Sequence, residues 1–226
     1  QSGGVEPGAR QILIDANLQR PRRIVNNHAL AFEAMQHVHA KDVDPHGRED
    51  RLAARARERE PLDHVELRRL LGELDHGVVV VETGARYVLD PRRKQRPTLV
   101  EADAEGRARR LAFLERCARI AVALGGDTIS LWSGIPVDVD REVAWGHLVA
   151  GVQQLHERVT PLGVRIAFEP EPGMLVDSLA DWERLRDAAS LPEFGLALDV
   201  GHIPCTESIS AGDAIRRYAT AIRTVH

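Results

Sequence analysis

From residue 62 onward two kinds of segment alternate, and this alternation constrains the fold more than any other feature of the chain. Short apolar runs recur: Gly-Val-Val-Val-Val-Glu at 77–82, Asp-Thr-Ile-Ser-Leu-Trp at 127–132, Val-Arg-Ile-Ala-Phe-Glu at 164–169, Phe-Gly-Leu-Ala-Leu-Asp at 194–199 and Ala-Ile-Arg-Thr-Val-His at 221–226. Their length and β-branched content predict buried strands. Between them, apolar residues fall at helical spacing. Residues 104–124 place Leu111, Leu114, Cys117, Ile120, Ala121 and Leu124 on one stripe, and Gly125-Gly126 ends it. Residues 140–159 repeat the pattern with Leu148, Val149, Val152, Leu155 and Val159, before Pro161 and Gly163. Residues 178–189 carry Leu179, Trp182 and Leu185 behind Asp177 or Ser178 as N-cap. Residues 211–220 predict a shorter helix, and 62–75 another ahead of the first clear strand.

Strands joined by crossover helices make a parallel sheet. No Gly-x-Gly-x-x-Gly follows any strand, so a dinucleotide-binding doubly wound sheet lacks its signature. The informative polar residues all end strands, where a barrel gathers them around one axis. The expected fold is therefore α/β: a single (β/α)8 TIM barrel domain over residues 1–226. Residues 1–60 contribute weaker signals: a strand at 11–16, a helix at 27–36, a poor strand at 35–39, and a charged loop plus solvated helix at 41–60. This totals seven strands, whereas a closed barrel needs eight. The expectation is a barrel incomplete at its C-terminus, with the eighth βα unit absent. Strand edges exposed in that way would invite pairing of two copies as a homodimer.

Composition narrows the function classes. The net charge of −4 argues against nucleic acid as a partner, which calls for a surplus of Lys and Arg. Aromatic residues make up only 4%, so the core must rest on Val, Leu, Ile and Ala. Cys117 and Cys205 form no framework and no Cys-x-x-Cys, which fits a reducing cytoplasm. No apolar run reaches a membrane span, and no signal peptide opens the sequence.

Glu169, Asp199 and His226 each end a predicted strand, thirty and then twenty-seven residues apart. One βα unit takes about 30 residues, so the three side chains are expected at one height on one rim. A single carboxylate at a strand end is ordinarily a loop start or helix cap. Three donors in register point instead to one divalent ion, with Mn, Mg, Co and Zn all compatible. His202 follows Asp199 in Leu-Asp-Val-Gly-His, where Gly201 lets the backbone turn and bring the imidazole over the site. Glu171 reads as a solvated or supporting carboxylate, because Pro170 and Pro172 turn the chain away.

Phe168-Glu169-Pro170-Glu171-Pro172-Gly173, Leu198-Asp199-Val200-Gly201-His202 and Val225-His226 together resemble the xylose-isomerase-like barrel superfamily of sugar phosphate isomerases and epimerases. The resemblance runs over roughly residues 62–226. It implies that Glu169, Asp199 and His226 bind the metal with a second Glu from the eighth strand, before which this sequence ends. It implies that His202 contacts a substrate oxygen. It implies that Glu169 is the catalytic base of a proton transfer through an enediolate, on a small sugar or sugar phosphate. An endonuclease-four-like phosphodiesterase shares this barrel but needs further histidines on earlier strands, where this sequence offers Glu82 and Trp132. A non-catalytic metabolite-binding barrel is the third reading.

Further substrate-binding candidates each carry a plain alternative. Trp132 would wall a sugar or simply pack the rim, and Glu82 would face the site or make a structural hydrogen bond. The long segment 84–103 holds Arg86, Arg92, Arg93, Lys94 and Arg96. Arg92 and Arg93 would bind a substrate phosphate or carboxylate from a lid, or belong to a solvated basic loop.

Overall fold

A computed structural model describes residues 11–14, 78–84 and 87–226. The helices expected at 27–36 and 62–75, the strand at 35–39, the segment 41–60 and Arg86 lie outside the described residues. Among the described residues six strands form one sheet: β1 (Gln11–Ile14), β2 (Val78–Glu82), β3 (Thr128–Leu131), β4 (Arg165–Phe168), β5 (Gly195–Leu198) and β6 (Ile222–Val225). Helix α1 (Ala104–Ala123) joins β2 to β3, α2 (Arg141–Val159) joins β3 to β4, and α3 (Leu179–Ala189) joins β4 to β5. After β5 come a one-turn α4 (Ile203–Thr206) and α5 (Ala211–Tyr218).

Every neighbouring pair is parallel, and spatial order equals chain order. A doubly wound sheet must reverse its strand order at a switch point. The described strands do not, so the sheet winds in one direction, as the wall of a partial (β/α)8 barrel. The strand predicted at 11–16 is present as β1.

The two faces of the sheet differ in chemistry. Val79, Val81, Ile129, Leu131, Ile166, Phe168, Leu196 and Leu198 belong to the core shared with the helices. The alternate residues Val80, Ser130, Ala167 and Ala197 are also buried but lie outside that core. Period-two alternation puts them on the opposite, inner face. Glu82, Trp132, Glu169, Asp199 and His226 continue this inner set at the C-terminal ends. One parity therefore makes the core and the other makes the site.

Side chains fix the helix starts. Asp103 accepts from the N–H groups of Glu105 and Gly106, Asp140 from those of Glu142 and Val143, and Ser178 and Ser210 from those of Asp181 and Asp213. Under α3, the Trp182 ring stacks on Phe194 at 6.4 Å and meets Tyr218 edge-on at 5.9 Å. The second half of the segment 84–103 is packed into the fold. Leu99 and Val100 are in the core, and the buried Glu101 carboxylate is held by the Arg96 guanidinium and, at 3.1 Å, the Thr98 N–H.

Candidate metal centre

Glu169, Asp199 and His226 stand one residue beyond the ends of β4, β5 and β6, rather than on the last strand residues. Backbone bonds still hold them in the ladder. The Glu169 N–H donates to Leu131 O at 2.8 Å, the His226 N–H to Leu198 O at 2.9 Å, and the Val200 N–H returns to His226 O at 3.1 Å. One donor atom from each of the three side chains lies within 4.8 Å of the other two. Glu169 is buried, and Asp199 and His226 are half-buried.

His202 and Glu171 complete a second group with Glu169, again within 4.8 Å. The His202 ring lies with Nε2 at 3.3 Å from Asp199 Oδ2 and 3.8 Å from Glu171 Oε2. Its Nδ1 is 3.3 Å from Pro170 O. One ring edge thus meets a backbone carbonyl and the other meets the carboxylates. The proximity of Glu171 corrects the expectation that its prolines turn it away. The Glu171 N–H donates to Val176 O, and the Met174 N–H donates to Glu171 O. Gly173, at φ +82°, supplies the left-handed residue of this turn, which folds Glu171 back.

The chain turns at Gly201 and the His202 ring lies over the site, as expected, though not through a left-handed glycine. What Gly201 permits is a close approach. Its N–H donates to Asp199 Oδ1 at 2.7 Å, and an added Cβ would sit 3.1 Å from that oxygen. Asp199 is thereby fixed by its own loop.

The electrostatics follow from crowding of like charge. Burial pushes the Glu82 carboxyl up, only partly countered by His226, and burial together with neighbouring Glu169 pushes Glu171 up. Burial disfavours the charged His226 ring, yet Glu169 and Glu82 on either side outweigh it and hold its pKa at about 10. Four carboxylates around two imidazoles, with mixed O/N donors within reach of one point, fit a divalent ion, which would relieve the same repulsion.

The remaining predicted residues divide by position. Glu82, the last residue of β2, reaches the cluster, with Oε1 at 3.2 Å from His226 Nε2. Trp132 lies just past β3 and is 8% exposed, with the Arg110 guanidinium 4.9 Å from its ring. Arg92 and Arg93 sit in an exposed turn whose carboxylate partner is Asp90, not the cluster. Arg110 had no signal in the sequence, because an arginine on an otherwise amphipathic helix reads as solvated. It is fully buried instead, and it donates to Thr83 O at 3.0 Å.

A model of the family described as "Xylose isomerase-like TIM barrel" matches residues 95–226. No curated protein sequence shows significant similarity to the chain. Among solved structures, an L-ribulose 3-epimerase is similar with TM-score 0.62 and 21% identity, over 75% of this chain and 56% of that one. The AP endonuclease, family 2, from Brucella melitensis gives TM-score 0.60 and 17% identity, over 73% and 63%. A D-allulose 3-epimerase from Methylomonas sp., solved with D-allulose, gives 0.58 and 18%, over 74% and 57%. The chain thus spans less than two thirds of each of these three proteins, and at such identities they share its fold.

Proposed function

The chain belongs to the xylose isomerase-like TIM barrel family, and from that premise we propose that it is a divalent-metal-dependent isomerase or epimerase of a small sugar or sugar phosphate. The observation that carries this reading is the convergence of Glu169, Asp199 and His226 within 4.8 Å. These three residues would hold the ion. When bound, the ion supplies Lewis-acid polarisation of a carbonyl and its neighbouring hydroxyl.

The chain's own side chains do the rest. Glu169, buried at the centre of both donor groups, removes the proton from the carbon next to the carbonyl, giving an enediolate. His202 is anchored by Pro170 O and oriented by Asp199, so it is placed to hydrogen-bond a substrate oxygen. Trp132, only 8% exposed, offers little surface to a sugar. The name of one similar structure is that of an endonuclease. However, Trp132 occupies a rim position where that chemistry would require a ligand, and the net charge is −4.

Solvent deuterium exchange tests the reading at its first step, because it requires proton removal only. The chain loaded with diamagnetic Mg²⁺ is incubated in D₂O with a panel of ketoses and ketose phosphates, and proton NMR follows the proton on the carbon next to the carbonyl. Glu169→Gln should slow exchange by about 10²–10⁴-fold, the usual contribution of a positioned base. Exchange with no panel member, together with cleavage of an abasic-site duplex, would move the assignment to the phosphodiesterase class. Saturable sugar binding without exchange would move it to a binding protein.

A further inference from the structure

Resting on the metal-centre reading above, we infer that Glu82 is neither a metal ligand nor a substrate contact but the positioning residue that orients His226, fixing which ring nitrogen faces the ion. The two nitrogens of His226 look in opposite directions. Nδ1 lies 3.4 Å from Glu169 Oε1, on the side of the donor group, and Nε2 lies 3.2 Å from Glu82 Oε1. Glu82 joins neither set of side chains whose donor atoms lie within 4.8 Å of one another. Its carboxylate is therefore placed behind the ring rather than around the ion.

Two unpartnered atoms support this assignment. Glu82 Oε1 and His226 Nε2 are both buried, and neither has an aligned hydrogen bond. Each is nevertheless within hydrogen-bond distance of the other. A buried carboxylate oxygen and a buried ring nitrogen left without partners are costly, and a small rotation of the imidazole aligns them. With Nε2–H donating to Glu82, the Nδ1 lone pair is free to face Glu169 and the ion. A carboxylate behind a ligating imidazole fixes the tautomer and raises the basicity of the ring. Glu82 is well suited to this because it ends β2, a strand that supplies none of the three donors. Its bracing is therefore independent of the loops that carry Glu169, Asp199 and His202.

The test uses the intact chain and Zn²⁺, which is diamagnetic. Nitrogen-15 correlation spectra of the histidine rings, with His226 assigned through His226→Gln, report which nitrogen carries the proton. Titration against a competing chelator gives the Zn²⁺ affinity of wild type, Glu82→Gln, Glu82→Ala and, as the ligand control, Asp199→Asn. Expected are a metal-shifted Nδ1 with a protonated Nε2, and affinity lowered about 10–100-fold in Glu82→Ala, the usual effect of losing such a partner. Glu82→Gln, nearly isosteric and still able to accept, should fall between wild type and Ala. Zinc on Nε2, or unchanged affinity in both Glu82 variants while Asp199→Asn loses it, overturns the role of Glu82 and leaves the metal centre standing. No saturable Zn²⁺ uptake by wild type overturns the metal centre itself, and this inference with it.

Discussion

Arg110 is the most unusual single residue in the described part of the chain. Its side chain is completely buried and faces no carboxylate among the described residues. Its Nη2 bonds Thr83 O, its Nη1 has no hydrogen-bond partner, and the guanidinium lies near the Trp132 and Phe113 rings, at 4.9 and 5.4 Å. Burial lowers its pKa to about 10, against a smaller opposing effect of Cys117. A charged hydrogen bond and a desolvated cation–π contact contribute about 2 kcal/mol each, and desolvation of the ion costs several. The terms nearly cancel. Arg110→Met should therefore leave the unfolding free energy, read by urea denaturation, within about 1 kcal/mol of wild type, and a loss above about 3 kcal/mol would show that this balance is wrong. The two thiols differ just as sharply. Cys117 is buried, which pushes its thiol up to about 12, whereas Cys205 is exposed. Iodoacetamide at pH 8 should label Cys205 in the native protein and reach Cys117 only after unfolding, as read by peptide mass spectrometry.

At the scale of elements, α3 shows what binds the barrel layers together. Trp182 is fully buried between Phe194 and Tyr218, and its indole N–H donates to Gly195 O at 3.2 Å on β5. Trp182→Ala should cost about 3–5 kcal/mol, against about 1 kcal/mol for removing the Ser178 cap, both measurable by denaturant unfolding. The apolar stripe of α3 and its cap were legible in the sequence because both are local patterns, and the strands ending in Glu169, Asp199 and His226 were legible for the same reason. Contacts made at long range were not. The Leu179 N–H at the start of α3 is capped by Glu207 Oε1 at 2.7 Å, a residue 28 positions away. The return of Glu171 depends on closure through Val176, and the ordering of 96–101 depends on Glu101 being taken out of water by Arg96. Each of these polar residues looks solvated until its partner is known. Arg110 is the extreme case, since nothing in its neighbourhood along the chain announces its burial.

At the scale of the whole molecule, the three candidate donors sit at three adjacent strand ends, so an ion bound between them would tie β4, β5 and β6 together and would bind only the folded chain. A ligand at 100 times its Kd adds about 2.7 kcal/mol to stability, and 1 kcal/mol moves the melting midpoint by roughly 2–4 °C at this chain length. Adding Mn²⁺ should therefore raise the midpoint by roughly 5–10 °C, and Asp199→Asn should abolish the gain. The pH dependence has a definite sign. His226 is held up at about 10 between Glu169 and Glu82, above the roughly 6.5 of an unfolded histidine. Without added ion, its contribution to stability is complete below pH 6.5 and is lost as pH rises toward 10. An ion must displace that proton, because only neutral imidazole ligates. The two effects reinforce each other: as pH rises from 6 to 9, the ion-free midpoint falls and the shift produced by Mn²⁺ grows. Differential scanning fluorimetry across that range, with and without Mn²⁺, reads both. A metal-induced shift that failed to grow with rising pH would mean that His226 is not among the groups from which the ion displaces a proton, and would remove it from the donor set.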